Sequence, residues 1–384
     1  MTAGPSASTR LSAQCHAQTS NNPSPTTKNA KMRLINVKTL EMHEFFGNDT
    51  PRYAILSHTW GKDEISFQDW QAALELPQLI AACQSTGATS LDAYTILRQR
   101  RFDELTTKAG YHKIISFCRL VRQGLDFWDT GPLEWVWADT CCIDKRSSSE
   151  LSEAINSMFR WYRDSEICVA YLSDVPSNVD HYANDSAFRA SKWFTRGWTL
   201  QELLAPKKLR FYSSDWVMIL DKADKDAASL VSDITNIHIR YLNPSGPYLL
   251  PSSPCDVMYT ASVSERMSWA SARTTTRPED MAYCLLGIFK IHMPMLYGEG
   301  HQAFVRLQEE IIRNSTDQTI FAWGFEMPLG PVGTDGALRG HFSQLLAPSP
   351  VWFRNGDQFD VLESDTGPSF HLTNSGLHIP LYLY

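Results

Sequence analysis

The sequence predicts an α/β fold: a parallel sheet flanked by helices over residues 32–220, followed by a mostly helical extension. Three observations carry this expectation. The runs 53–57, 135–139, 167–172 and 209–212 are short and almost wholly apolar, as in strands covered on both faces. Between them lie segments whose apolar residues recur at the helical period. Beyond about residue 222 the strand-like runs give way to helical patterns.

The elements follow in order. Residues 1–31 are rich in Ser, Thr, Ala, Asn and Pro and hold almost no large apolar side chain, so a disordered tail is expected. Met32 opens MRLINVKTLEMHEFF, which reads like a natural protein start. After the strand 53–57 come helices at 64–76 and 111–125, the second with Ile114, Ile115, Cys118, Val121 and Leu125 on one face. Ser147 and Glu150 have the spacing of a capping box. They open a helix whose stripe is Leu151, Ile155, Met158, Phe159 and Tyr162. The strand 167–172 ends at Asp174 and Pro176, and a short helix over 196–205 is closed by Pro206. In the extension, helices are expected at 262–272, 278–289 and 301–313. A Pro/Gly-rich, partly strand-like region follows residue 320, and 326–384 reads as a partial C-terminal region.

Composition removes several classes. The 384 residues are 43% hydrophobic and carry a formal charge of -7, which gives no electrostatic footprint for nucleic acid. No apolar run approaches the roughly 20 residues that cross a bilayer. The eight cysteines form no C-x-x-C and sit mostly in apolar runs, as reduced, buried thiols of a cytoplasmic protein do. Adjacent Cys141 and Cys142 would point to opposite faces of a strand, against a metal site. No phosphate-cradling loop, G-x-S-x-G elbow or H-E-x-x-H helix is present, and Gly298-Glu299-Gly300 reads as a turn into the next helix.

Three segments can carry chemistry. Ser57-His58-Thr59-Trp60-Gly61 and Asp139 to Asp144 follow strand ends, where open α/β sheets place ligands. The plainer roles are Ser57 and Thr59 as caps, His58 in the core, and Asp144 bracing the turn before its helix. In Arg196 to Leu204, Trp198 and Glu202 are four apart and share a helix face. There an aromatic beside a carboxylate can cover a ring or sugar. The plainer arrangement buries Trp198 and Leu203 and pairs Glu202 with Arg196 or Arg189.

The stretches AILSHTWG (54–61), WADTCCIDKRSSSELSEAINSMFRWYRDSEICVAYLSDV (137–175) and WFTRGWTLQELLAP (193–206) closely resemble the fungal heterokaryon incompatibility (HET) domain. The resemblance continues through 262–289 and 293–312, covering residues 32 to about 325. It implies a HET domain at 32–220, an extension of HET proteins at 221–325, and a probable insertion at 83–106, a segment the family's usual pattern lacks. It also implies an intracellular trigger of programmed cell death on non-self recognition, acting through self-association or other protein partners, with no required cofactor. The family is remotely similar to the TIR domain, a flavodoxin-like parallel sheet used for self-association or for NAD cleavage. NAD-cleaving TIR domains place a glutamate after a tryptophan on a short helix, close to Trp198 and Glu202. The enzymatic alternative is therefore an NAD glycohydrolase with Glu202 as catalytic carboxylate, and Ser57, His58, Trp60, Asp139 and Trp198 as pocket residues. In that role Glu202 is expected to stay ionised, because only the anion stabilises an oxocarbenium-like ribosyl centre.

Overall fold

The computed structural model describes residues 31–75, 93–125, 131–243, 254–324, 345–359, 371–373 and 376–378. The tail expected at 1–31 lies outside these residues up to position 30, while Lys31 already belongs to the first strand.

The four expected strands are present and lie side by side. They are β3 (Tyr53–His58), β4 (Trp135–Trp137), β5 (Ile167–Tyr171) and β6 (Leu209–Tyr212). β3 pairs in parallel with β4 and β5, and β5 with β6. All six residues of β3 are buried, which is why its sequence shows no alternation. In chain order these strands run second, first, third, fourth across the sheet, the flavodoxin-like order. Three antiparallel strands that the sequence reading omitted widen the sheet. The hairpin β1 (Lys31–Asn36) and β2 (Met42–Phe46) adds at β4, and β7 (Met218–Asp221) adds at β6, giving β2-β1-β4-β3-β5-β6-β7.

Helices lie between the parallel strands. α1 is described over 67–75, followed by α2 (Ala93–Thr107), α3 (Ala109–Gln123), α4 (Ser148–Asp164) and α5 (Thr199–Leu204). Residues 83–92 of the expected insertion lie outside the described residues; its remainder is in α2, with Leu105 buried. The stripe predicted for α4 packs on the sheet. Tyr162 donates to the Leu56 carbonyl at 3.0 Å, and Tyr53 to the Trp161 carbonyl at 2.5 Å. Only half of the expected capping box forms. Ser147 Oγ accepts from Glu150 N, but the Glu150 carboxylate turns to Arg33 and to Asp144 N. Asp144 braces the turn, accepting from Arg146 N at 3.0 Å and Gln68 Nε2 at 2.6 Å.

β4 ends at Trp137, two residues earlier than expected, so Cys141 and Cys142 lie in a turn and not on a strand. Both are buried there, and the five described cysteines for which burial is defined are free and buried.

The extension comprises α6 (Lys225–Thr235), α7 (Ile239–Leu242), α8 (Pro254–Met258), α9 (Val263–Ser268), α10 (Asp280–Tyr283), α11 (Leu286–Phe289) and α12 (Gln302–Asn314). The helix expected at 278–289 is two short ones, with left-handed Lys290 (φ 56°) ending the second. The extension packs tightly on the sheet domain. A Cβ on Gly287 would stand 2.1 Å from Phe159 Cβ of α4. Thr274 exchanges backbone hydrogen bonds with Thr195 (2.7 Å) and Gly197 (2.8 Å) ahead of α5. Further on, the Gln308 amide pairs both ways with the Ala347 backbone, each at 2.9 Å. The last described pieces are the antiparallel β8 (His371–Thr373) and β9 (Gly376–His378). Among the described residues no helix is long and apolar enough to cross a membrane.

Candidate functional site

A cavity of about 300 Å³ opens beyond the carboxyl ends of β3 and β4, the edge of the sheet at which open α/β folds take ligands. It gathers His58, Trp60, Asp139, Trp198 and Glu202, five of the six residues expected from the sequence. Ser57, the sixth, lies behind Glu202 and hydrogen-bonds to it.

Glu202 sits on α5, every residue of which is buried. The helix is therefore not amphipathic, and Glu202 is not the surface partner of an arginine. Arg189 instead faces Asp233, and Arg196 has no ion pair with Glu202. Glu202 is 6% exposed and closes a hydrogen-bond chain in which Trp193 Nε1 donates to Ser57 Oγ at 2.8 Å and Ser57 faces the carboxyl. Burial pushes the Glu202 pKa from 4.5 up to about 8, and the Ser57 hydrogen bond only partly opposes it. The expectation of an ionised carboxylate is thus corrected: Glu202 is held mainly protonated at neutral pH, because removal from water disfavours the anion.

Both ends of α5 are anchored by buried cations. Arg273 Nη1 donates to the Arg196 carbonyl (2.8 Å) and Thr199 Oγ1 (2.9 Å) at the start; burial lowers its pKa to about 10. Lys222 Nζ donates to the Leu203 (2.8 Å) and Pro206 (3.2 Å) carbonyls at the end. Gly197 admits the close approach of the extension, since a Cβ there would meet Thr275 Cγ2 at 2.5 Å.

On the opposite wall Trp60 is 47% exposed; its Nε1 donates to Asp139 Oδ2 at 2.9 Å, and Lys145 Nζ stands 3.5 Å above the ring. Burial raises the Asp139 pKa, with Lys145 opposing. His58 Nε2 lies 3.8 Å from Glu64 Oε2 and 3.9 Å from Asp139 Oδ1, both beyond hydrogen-bond range. Neither ring nitrogen has a partner. Burial first, then Lys113, Lys145 and Arg196, hold His58 well below its ordinary pKa, so it is neutral.

The remaining wall was missed in the sequence. Arg277, Asp280 and Tyr297 come from the extension, and Tyr297 donates to Asp280 Oδ1 at 2.9 Å. The only available signal was the charge cluster RTTTRPED beside MLYGEG. The turn expected at Gly298-Glu299-Gly300 is present, with φ of 107° and 60° at the two glycines. Their N–H groups both donate to Glu279 Oε1, at 2.8 and 3.0 Å. Among the described residues no group of three His, Cys, Asp or Glu side chains is placed to hold a metal ion.

Residues 53–186, from the start of β3 past β5, match the heterokaryon incompatibility protein (HET) family. The chain is a HET-domain protein. It is 41% identical over 270 residues, 68% of its length, to the vegetative incompatibility protein HET-E-1 of Podospora anserina. The match spans only 16% of that relative. Residues 302–373 match a domain of unknown function, DUF8212. No solved structure matches the chain. The HET match ends before α5, so Glu202 and the extension wall lie outside it.

Proposed function

We propose that this HET-domain protein is a cytoplasmic heterokaryon incompatibility protein that triggers programmed cell death on non-self recognition, through self-association or binding of a protein partner. The observation that carries the reading is the alignment with an incompatibility protein over 270 residues, longer than the HET match itself. Expression from an inducible promoter in a filamentous fungus tests it. Induction is expected to arrest growth and kill hyphae, and undiminished growth at verified protein levels would refute it.

A second reading, an NAD glycohydrolase, is favoured by the cavity. Glu202, Asp139 and Trp198 line one cavity with Ser57 behind Glu202, and nicotinamide leaves as a neutral group that needs no general acid. The cationic nicotinamide ribosyl group would draw the Glu202 proton off, since a nearby positive charge favours the anion. Incubation of the purified chain with NAD, with free nicotinamide as readout, is expected to show release that increases as pH rises toward 8. Absence of release leaves death signalling by association alone.

A further inference from the structure

Two arginines that line the cavity, Arg196 and Arg277, stand outside any direct ion pair, although Asp280 and Glu202 feel their charge. Among the described residues, Arg33, Arg52, Arg101, Arg210 and Arg306 each face a carboxylate within 4 Å. Arg196 and Arg277 have no such ion pair. The bridge between Arg196 and Thr274 brings their two segments together. Arg196 Nη1 reaches Thr276 Oγ1 at 3.4 Å, and the Arg277 guanidinium lies over the Tyr297 ring at 4.5 Å. Side-chain partners thus orient both guanidiniums along one side of the cavity without neutralising them. Asp280, the nearby carboxyl, is engaged by Tyr297.

A second, independent observation lies on the floor. His58, which lines the cavity, is buried with both ring nitrogens unpartnered. Buried polar atoms are almost always hydrogen-bonded, so this floor fits an occupant carrying hydroxyl groups, which donate to one atom and accept from another.

We propose that the cavity binds a sugar phosphate, its phosphate held between Arg196 and Arg277 and its hydroxyls against His58 and Asp139, which line the same space. Guanidinium pairs suit phosphate because their planar donors match its oxygens. Trp198, which also lines the cavity, offers an apolar face to the ring. The proposal rests on reading this cavity as a ligand site, and it holds whether or not any bond is cleaved there.

Binding of ribose 5-phosphate, inorganic phosphate and ribose to the full chain, followed by calorimetry at constant ionic strength, tests it. Ribose 5-phosphate is expected to bind more tightly than phosphate, and ribose least. Arg277 is exposed, so Arg277→Ala keeps the fold, checked by an unchanged Tm. It is expected to weaken both phosphate-bearing probes about 10- to 100-fold, as loss of a charge-assisted hydrogen bond does, and Arg277→Lys to recover part of that. Arg52→Ala, whose partner is Glu166, is expected to bind as wild type. Equal binding by Arg277→Ala and wild type, or no binding of either phosphate probe, overturns the proposal. Phosphate binding as tight as that of ribose 5-phosphate overturns the sugar part. Nicotinamide release is read separately, so loss of the phosphate subsite and failure of the glycohydrolase reading give different results.

Discussion

Glu202 concentrates the chemistry of the site in one proton. The folded chain holds that proton up to about pH 8, whereas an exposed carboxyl releases it near 4.5. Folding therefore takes up a proton between these values, and stability contributed by the neutral acid is lost as pH rises through that window. Glu202→Gln keeps the shape and cannot ionise. Its Tm relative to wild type is expected to rise from pH 5 to pH 9, and a difference that stays constant with pH would show that Glu202 does not carry a shifted proton. If NAD is cleaved, the same substitution is expected to reduce nicotinamide release by about a hundredfold or more, as loss of one preorganised electrostatic group does. The pairing of Trp198 with Glu202 on one face was legible from their spacing. The protonation was not: it comes from a helix buried on every side, an effect that the hydrogen bond from Ser57, 145 positions away in sequence, only partly offsets.

At the scale of elements, legibility followed burial. The four parallel strands could be read because each is apolar on both faces. β1 has the sequence KMRLIN, in which Lys31, Arg33 and Asn36 break the apolar run at three of six positions, although Arg33 is buried beside Glu150; β6, with Arg210 alone, stayed legible. β2 and β7 are sheet edges with exposed residues, so neither alternation nor a solid apolar run marked them. The short helix α5 illustrates the opposite case, an element that local sequence alone cannot stabilise. Isolated helices of six residues are unstable in water, and this one is held by Arg273 and Lys222 at its two ends. A cation at a helix C-terminus also meets the negative end of the dipole. Lys222→Met keeps the apolar stem but leaves the Leu203 and Pro206 carbonyls without this donor. It is expected to cost about 1–3 kcal/mol in urea denaturation and to loosen the position of Glu202. A cost within error of zero would show that packing alone fixes α5.

At the scale of the whole molecule, tight contacts bridge the boundary that the sequence suggested between a domain at 32–220 and the extension after it. Gly287 interlocks with Phe159 at a distance that leaves no room for a methyl group. Thr274 completes the backbone of residues 195–197, and Arg273 is buried against the start of α5. The interlock runs further along the chain, through Gln308 to Ala347 and through Gly356, whose Cα abuts the Ser264 backbone. Removing the extension would uncover the apolar surface of α4, open the cavity on the Arg277 side and strand the hydrogen-bonding groups of residues 195–199. A chain of residues 31–359, which keeps all of these contacts, is expected to unfold in one cooperative transition. A chain of residues 31–220 is expected to show a broad, weakly cooperative transition and a lower denaturant m-value, because m follows the surface exposed on unfolding. Per-residue m-values and Tm equal to those of 31–359 would show the sheet domain to be autonomous. The extension would then be a separable wall of the cavity and not part of the unit that builds it.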